Sequence, residues 1–243
     1  MSQTQRTTLL FDLDGTLLPM DREEFTRAYL PAISAHGAAF AEPKALAAAI
    51  WGGCVDMMKA TGPEETLEQV FWRGFTARCG LAQATVEECF EDYYRSPAFD
   101  ALQNMTPAEP LAPAIVVAAK ASGRRVVLAT SPLFPRIATE KRIRWAGLNP
   151  EDFEHITTFE DYHAAKPHRQ YFEELLARLG VTGEECVMIG NDAREDLPAP
   201  KALGMETFFV TNHAILPEGV TPQADYEGVY QDLLDYLRAL PRL

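Results

Sequence analysis

Two aspartates separated by one residue follow a short apolar run near the N-terminus. The run is Thr7 to Phe11, and the acids stand in the segment from Asp12 to Thr16. The apolar run predicts a buried strand. Residues two apart in an extended chain share a face, so the carboxylates of Asp12 and Asp14 are expected to point to one side, with Gly15 able to redirect the second. An acidic pair alone is also typical of a tight turn, and its chemistry depends on what the fold brings beside it.

Three further segments carry groups that could act on an anionic substrate. They are Thr130 with Ser131 after an apolar run, Lys166 before Pro167, and Asn191, Asp192 and Asp196 after another apolar run. The hydroxyl and backbone N–H groups of the first segment could hold phosphate oxygens, and the lysine could supply a positive charge. Each segment also has a plainer interpretation: a serine–threonine turn, a solvated charge, or the N-cap of a helix.

The acidic residues make more sense together than apart. Asp12, Asp14, Asp192 and Asp196 would bring up to four negative charges near one point. Two like charges about 4 Å apart repel by roughly 4 kcal/mol at an effective dielectric constant near 20. A hard cation would offset this repulsion, and oxygen ligands without nearby His or Cys favour Mg²⁺ over zinc. With Lys166, such a pocket would attract a phosphate dianion.

The elements that must position these residues alternate between strand and helix from about residue 107 onward. Predicted strands are 7–11, 125–130, 155–158, 186–190 and 206–210, and predicted helices are 112–122, 136–146, 170–179 and 195–203, the last with a distorted first turn. This alternation predicts an α/β fold with a doubly wound parallel sheet. Ligands of such sheets lie beyond the carboxyl ends of the strands, where Asp12, Thr130 and Asp192 are expected.

The intervening segment differs. Its helical periodicity predicts an all-helical domain over 19–104, inserted into a core domain formed by 1–18 and 105–243.

Composition excludes several classes of function. The 243 residues carry a net charge of −13, which disfavours binding to nucleic acid or to an anionic membrane. The short basic cluster of Lys141, Arg142 and Arg144 is expected to be a solvated helix face. The four cysteines form no metal or disulfide pattern, and no apolar run approaches the roughly 20 residues needed to span a bilayer. We therefore expect a cytoplasmic protein; its oligomeric state is not indicated.

Taken in order, the segments resemble the four motifs of the haloacid dehalogenase superfamily of phosphohydrolases. The matching positions are Asp12, Asp14, Gly15 and Thr16, then Thr130, then Lys166 and Pro167, then Asn191, Asp192 and Asp196. Asn191 stands where the family more often has glycine, and Thr130 is followed by Ser131 where asparagine is common. The resemblance implies a Rossmann-like core with an inserted helical cap of the C1 type. It also implies a small phosphorylated metabolite as substrate.

The family mechanism implies a role for each of these residues. Asp12 would attack phosphorus and form an aspartyl-phosphate, and Asp14 would act as acid and then base. The second role requires a raised pKa of Asp14, which neighbouring like charge can provide. The Asp12 carboxylate, the Asp14 backbone carbonyl and Asp192 would hold Mg²⁺. Thr130 and Lys166 would bind the phosphoryl group, and Asp196 would support Lys166 or metal-bound water.

Other reactions of the superfamily fit less well. Dehalogenases lack the second aspartate, which is present here as Asp14. Phosphonate hydrolysis needs a cap lysine, and Lys44 and Lys59 stand in contexts unlike that one. A sugar phosphomutase uses the same aspartate pair and is the main alternative; a non-catalytic scaffold would have lost some of the motif residues.

The substrate itself stays open among sugar phosphates, phosphoglycolate and nucleoside monophosphates. Candidates for residues of the cap that contact it are Met20, Glu24, Trp51, Met57 and Met58.

Overall fold

One parallel sheet lies at the centre of the computed structural model, which describes residues 5–243. Its strands are β1 (Thr8–Phe11), β2 (Arg125–Leu128), β3 (His155–Ile156), β4 (Cys186–Gly190), β5 (Glu206–Val210) and β6 (Tyr226–Gly228). Their order across the sheet is β3-β2-β1-β4-β5-β6, and every neighbouring pair is parallel. The first strand is therefore central: its Leu9 is opposite Val126 on one side and Val187 on the other.

Helices cover the sheet and form a separate layer beside it. They are α1 (Arg22–His36), α2 (Pro43–Lys59), α3 (Leu67–Cys79), α4 (Gln83–Arg95), α5 (Pro97–Asp100), α6 (Ala112–Ala121), α7 (Arg136–Trp145), α8 (Arg169–Leu179), α9 (Pro198–Ala202) and α10 (Tyr230–Ala239). All four residues of β1 and all five of β4 are buried, because a parallel sheet is covered on both faces. This burial explains why both strands read as continuous apolar runs.

Six α-helices, α1 to α6, lie between β1 and β2, and the first five of them fall in the helical insertion that the sequence predicts. Asp21 begins α1 by accepting hydrogen bonds from the backbone N–H groups of Glu23 and Glu24, each at 2.9 Å. Aromatic rings of α3 and α4, including those of Trp72 and Phe90, stack in the interior of the insertion. The parallel α/β core with a helical insertion is thus confirmed. The boundaries at 18/19 and 104/105 stay predictions, and residues 1–4 of the predicted core lie outside the described part of the chain.

The predicted strands and helices agree well with the structure up to Val210, and the two elements beyond this residue were missed. All five predicted strands are present, but β6 and α10 were not predicted. β6 is three residues long and largely exposed, so it lacks the apolar pattern of a buried strand. Helix α9 begins at Pro198 rather than near Glu195, because the preceding residues form a loop around Asp192. No helix in residues 5–243 has the length and hydropathy required to cross a membrane.

Candidate active site

Asp12 lies at the carboxyl end of the central strand, where the backbone N–H of Asp12 continues the pairing with β4 by donating to the Ile189 carbonyl at 2.9 Å. Its side chain is buried and held at both oxygens. The Lys166 ammonium donates to Oδ1 at 2.7 Å, and the Thr16 hydroxyl lies 3.2 Å from Oδ2. The carboxylate is therefore fixed in place with one cation beside it.

The turn after Asp12 is closed by a glycine that no other residue could replace without strain. Gly15 has φ +92°, and a Cβ atom there would lie 2.2 Å from the Asn191 side-chain nitrogen. The Asn191 oxygen in turn accepts from the Thr16 hydroxyl at 3.0 Å, and the Asn191 amide donates to the His213 carbonyl at 2.6 Å. Asn191, in the loop after β4, thus connects the first acidic segment to the loop after β5.

Lys166 bridges two buried carboxylates. Its ammonium donates to Asp12 and, also at 2.7 Å, to Asp196. Burial alone would lower the pKa of the Lys166 ammonium, but the two carboxylates outweigh it and the pKa is raised. Burial raises the pKa of the Asp196 carboxyl even though Lys166 opposes the shift. The other Asp196 oxygen accepts from the Asp192 backbone N–H at 2.9 Å, so this residue holds both the lysine and the last acidic loop.

Asp14 is paired with an arginine that was expected on a solvated surface. Arg142 is 1% exposed; its guanidinium donates to Asp14 Oδ2 and lies 4.2 Å from the centre of the Phe134 ring. The expectation of a solvated helix face is wrong for Arg142, because this position lies on the buried stripe of α7 with Ala138 and Trp145. The helical spacing of Arg142 from Ala138 and Trp145 is the sequence signal that indicates its burial.

The Asp14 carboxyl is otherwise poorly satisfied. Its Oδ1 atom is buried and has no hydrogen-bond partner. Burial raises the pKa of Asp14, Arg142 opposes this, and the neighbouring charge of Asp12 adds to it. From the sequence, the neighbouring like charge is the expected cause of a raised pKa of Asp14. In the structure, burial is the larger cause of this shift.

Asp192 is held in a loop that begins the last acidic segment. Its Oδ1 accepts from the backbone N–H groups of Arg194 and Glu195 at 2.9 and 3.2 Å. The Arg22 guanidinium, from the start of α1, donates to Asp192 Oδ2 at 3.0 Å and to Glu195 Oε1 at 2.8 Å. Burial raises the pKa of Glu195 despite this pair. Arg22 carries no sequence signal, since nothing in its spacing distinguishes it from other cap residues.

Thr130 and Ser131 follow β2 and face the same cavity as Asp12 and Asp14. The Thr130 carbonyl accepts from the hydroxyls of Thr157 at 2.6 Å and Tyr171 at 3.0 Å. These two bonds fix the backbone of the loop.

The cavity above the acidic residues measures about 190 Å³, roughly six water volumes. Three of the five cap residues suggested by the sequence line it: Met20, Trp51 and Met58. Glu24 is exposed and Met57 lies in the interior of the cap, so neither contacts this cavity. Lys44 and Lys59 are also exposed and away from it.

The charged groups in and beside the cavity are not balanced, and a divalent cation would neutralise the excess negative charge. Five carboxyl groups (Asp12, Asp14, Asp192, Glu195 and Asp196) face three cationic side chains (Arg22, Arg142 and Lys166), an excess of two negative charges when all are ionised. Within residues 5–243, no three His, Cys, Asp or Glu side chains are grouped as a ready metal site. Mg²⁺ keeps several waters and often takes only one or two protein carboxylates, so the donor set fits this ion.

The fold and the site define the class of protein: the chain belongs to the haloacid dehalogenase-like hydrolases, whose family model matches residues 7–204. The glyceraldehyde 3-phosphate phosphatase of Methanocaldococcus jannaschii is 31% identical over 104 residues, which are 42% of this chain and 45% of that protein. The chain therefore matches less than half of the length of this relative.

Solved structures share the fold over nearly the whole chain. A HAD phosphatase from Thermococcus onnurineus has a TM-score of 0.61 at 20% identity and covers 98% of this chain and 100% of its own. The L-2-haloacid dehalogenase RSc1362 has a TM-score of 0.58 at 15% identity, covering 97% and 100%. The HAD-hydrolase YfnB from Bacillus subtilis, bound to magnesium, has a TM-score of 0.57 at 17% identity, covering 96% and 99%.

Proposed function

We propose that this protein is a Mg²⁺-dependent phosphatase that hydrolyses a small phosphate monoester through an aspartyl-phosphate on Asp12. The observation that carries the proposal is the arrangement of Asp12. Its carboxylate ends the central strand, is held by Lys166 at 2.7 Å, and faces the same small cavity as Asp14. A nucleophile and an acid–base group beside one cavity are what a two-step phosphoryl transfer requires.

In the first step an Asp12 carboxylate oxygen forms a bond to phosphorus as the bond from phosphorus to the leaving oxygen breaks. The Lys166 ammonium, 2.7 Å from Asp12, pairs with the negative charge that the substrate phosphoryl group brings. Asp14 donates a proton to the leaving oxygen. The buried Oδ1 atom is suited to carry that proton, because Oδ2 already accepts from Arg142.

In the second step Asp14 accepts a proton from a water molecule while the oxygen of that water attacks phosphorus. The bond between Asp12 and phosphorus then breaks, which restores the carboxylate and releases inorganic phosphate. The raised pKa of the Asp14 carboxyl, due mainly to burial, supports a group that holds a proton in one step and accepts one in the next. The backbone around Thr130 and the Ser131 hydroxyl are suited to contact phosphoryl oxygens, since both residues line the cavity.

The cation would be held by the Asp12 carboxylate, the Asp14 backbone carbonyl and Asp192. When bound, Mg²⁺ supplies positive charge that neutralises phosphoryl oxygens and aligns the phosphoryl group. The Arg22 guanidinium donates to Asp192 Oδ2 at 3.0 Å, so this arginine would compete with Mg²⁺ for the Asp192 carboxylate. Two further observations support the proposal without deciding the substrate: the named phosphatase relative and the magnesium in one structure of the same fold.

A phosphate-release assay tests this function. Wild type, Asp12→Asn and Asp235→Asn would be incubated with an aryl phosphate and a panel of phosphorylated metabolites, with Mg²⁺ or with EDTA. Asp235→Asn makes the same chemical change at an exposed position of α10 and serves as the control. We expect wild type and the control to release phosphate with Mg²⁺ but not with EDTA. We expect Asp12→Asn to be inactive in both conditions. Equal activity in Asp12→Asn, or activity unaffected by EDTA, would refute the proposal.

A further inference from the structure

Arg142 is a buried cation at the wall of the catalytic cavity. Its helix neighbours Lys141 and Arg144 reach the surface, where they pair with Asp100 and Glu140. The Arg142 side chain instead lies between α7 and the cavity and is 1% exposed. A guanidinium is costly to bury unless it is fully paired, and Asp14 supplies only part of that pairing.

The pairing of Arg142 within the protein is incomplete. One nitrogen donates to Asp14 Oδ2, and a second lies 3.5 Å from the Thr139 hydroxyl, at the limit of a hydrogen bond. The Nε atom is buried without a partner. An arginine has five N–H donors, so most of the donors of Arg142 lack a strong acceptor. The ring of Phe134 lies against the guanidinium and restricts the plane in which those donors point.

The cavity beside Arg142 suits a small acid. Much of the rest of its cap wall is apolar, including Met20, Phe25, Leu30 and Met58. At about 190 Å³, the space holds a phosphate and a carbon skeleton of a few atoms. Asp12 and Arg142 line the same cavity, so a short molecule whose phosphoryl group lies at Asp12 can extend toward the guanidinium.

We propose that Arg142 binds a carboxylate of the substrate, and that the preferred substrates are therefore short phosphorylated carboxylic acids. The planar guanidinium can bind a carboxylate with two parallel hydrogen bonds. One terminal nitrogen remains on Asp14 Oδ2, so the substrate carboxylate would accept from Nε and the other terminal nitrogen, which lack a strong acceptor. This inference rests on the proposed phosphatase function and adds a specificity-determining residue to it.

Three substrates with one carbon skeleton test the proposal: 3-phosphoglycerate, glycerol 3-phosphate and glyceraldehyde 3-phosphate. They differ only in whether the far carbon is a carboxylate, an alcohol or an aldehyde. We expect kcat/KM of wild type to favour the carboxylate by about 30-fold or more, the lower end of the effect of one buried charge pair. In Arg142→Gln the preference should fall to within about threefold, and Arg142→Lys should retain part of it.

Arg144→Gln is the matched control, because it removes the same charge two residues away on the exposed side of α7. It should keep the wild-type preference. A binding measurement guards against loss of folding or of turnover: in calorimetric titrations of Asp12→Asn, 3-phosphoglycerate should bind more tightly than glycerol 3-phosphate, and the added Arg142→Gln change should remove the difference.

Three results would overturn the inference. One is a wild-type preference for the alcohol or for the aldehyde. The aldehyde, glyceraldehyde 3-phosphate, is the compound in the name of the M. jannaschii relative. Another is an equal loss of kcat/KM on all three substrates in Arg142→Gln, which would make Arg142 a positioning residue for Asp14. The third is equal binding of the acid and the alcohol to Asp12→Asn. Absence of any Mg²⁺-dependent phosphate release, by contrast, would refute the proposed function itself.

Discussion

Replacing Lys166 by methionine removes the one cation that separates Asp12 from Asp196. Its ammonium is 2.7 Å from an oxygen of each, so those two oxygens are at most twice 2.7 Å apart. At that separation, two full charges repel by about 3 kcal/mol at an effective dielectric constant near 20. Removing one partner of a buried ion pair costs roughly 3–5 kcal/mol. We therefore expect Lys166→Met to lower the free energy of unfolding by about 3–5 kcal/mol at neutral pH.

The cost should depend on pH in a defined direction. The penalty comes from uncompensated negative charge. Burial raises the pKa of the Asp196 carboxyl to about 7 even with Lys166 beside it, so the penalty should shrink as the pH falls below neutrality and this carboxyl protonates. Urea unfolding of wild type and variant at pH 5 and pH 7.5 measures it. The same variant should lose about 10²–10³-fold in kcat, the effect of removing one preorganised donor from a charged transition state.

Lys120→Met is the matched control. Lys120 also forms an ion pair at 2.8 Å, with Asp152, but its side chain is 47% exposed. A pair on the surface contributes less than about 1 kcal/mol. If Lys166→Met costs no more than this control, or if its cost does not change with pH, the assignment of Lys166 as a buried bridge between two ionised acids is refuted.

Three further predictions concern the metal, the turn and the pH dependence. Arg22→Gln frees Asp192 from a competing cation, so calorimetry should show tighter Mg²⁺ binding than in wild type; unchanged or weaker binding would contradict this. Gly15→Ala should lower the melting temperature far more than Gly80→Ala, since both glycines have positive φ but a Cβ only at Gly15 meets a side chain, at 2.2 Å; equal effects would contradict it. Burial raises the folded-state pKa of Asp14 above its ordinary value of 3.8, so its stabilising contribution is present below that value and is lost as the pH rises. Without metal, the melting temperature of wild type should therefore fall more steeply above that pH than that of Asp14→Asn, and parallel curves would refute the shift.

The core of the fold could be predicted because its strands carry two signals at once. Each buried strand is a short apolar run, and the runs before Asp12 and Asp192 end in acids. β6 was missed because an exposed three-residue strand leaves no such pattern. The helix α10 does carry a helical apolar pattern, with Tyr230, Leu233, Leu234 and Leu237 buried, and was predictable from it. The start of α9 was misplaced because Asp192 binds the backbone N–H groups of Arg194 and Glu195 in a loop, which the sequence shows only as a distorted turn.

The order of the motifs in the sequence was enough to predict which acidic residues and which lysine lie together. Which side chains of a helix face the cavity could not be predicted in the same way. Asp12, Asp14 and Lys166 meet as expected. Arg142 was placed on the surface because its neighbours in sequence are charged, although its spacing from Trp145 puts it on the buried stripe. Met57 and Met58 are adjacent, and only the packing of α2 decides that the second of them lines the cavity.

The most direct test of the central claim is the location of a covalent phosphoryl group during turnover. The enzyme would be mixed with an aryl phosphate labelled in its phosphoryl group and quenched in acid within one turnover, and its peptides would then be analysed by mass spectrometry. We predict label on the peptide that contains Asp12, lost on longer incubation and not formed in Asp12→Asn. Phosphate release without a labelled enzyme, or a label on another residue, would contradict the account.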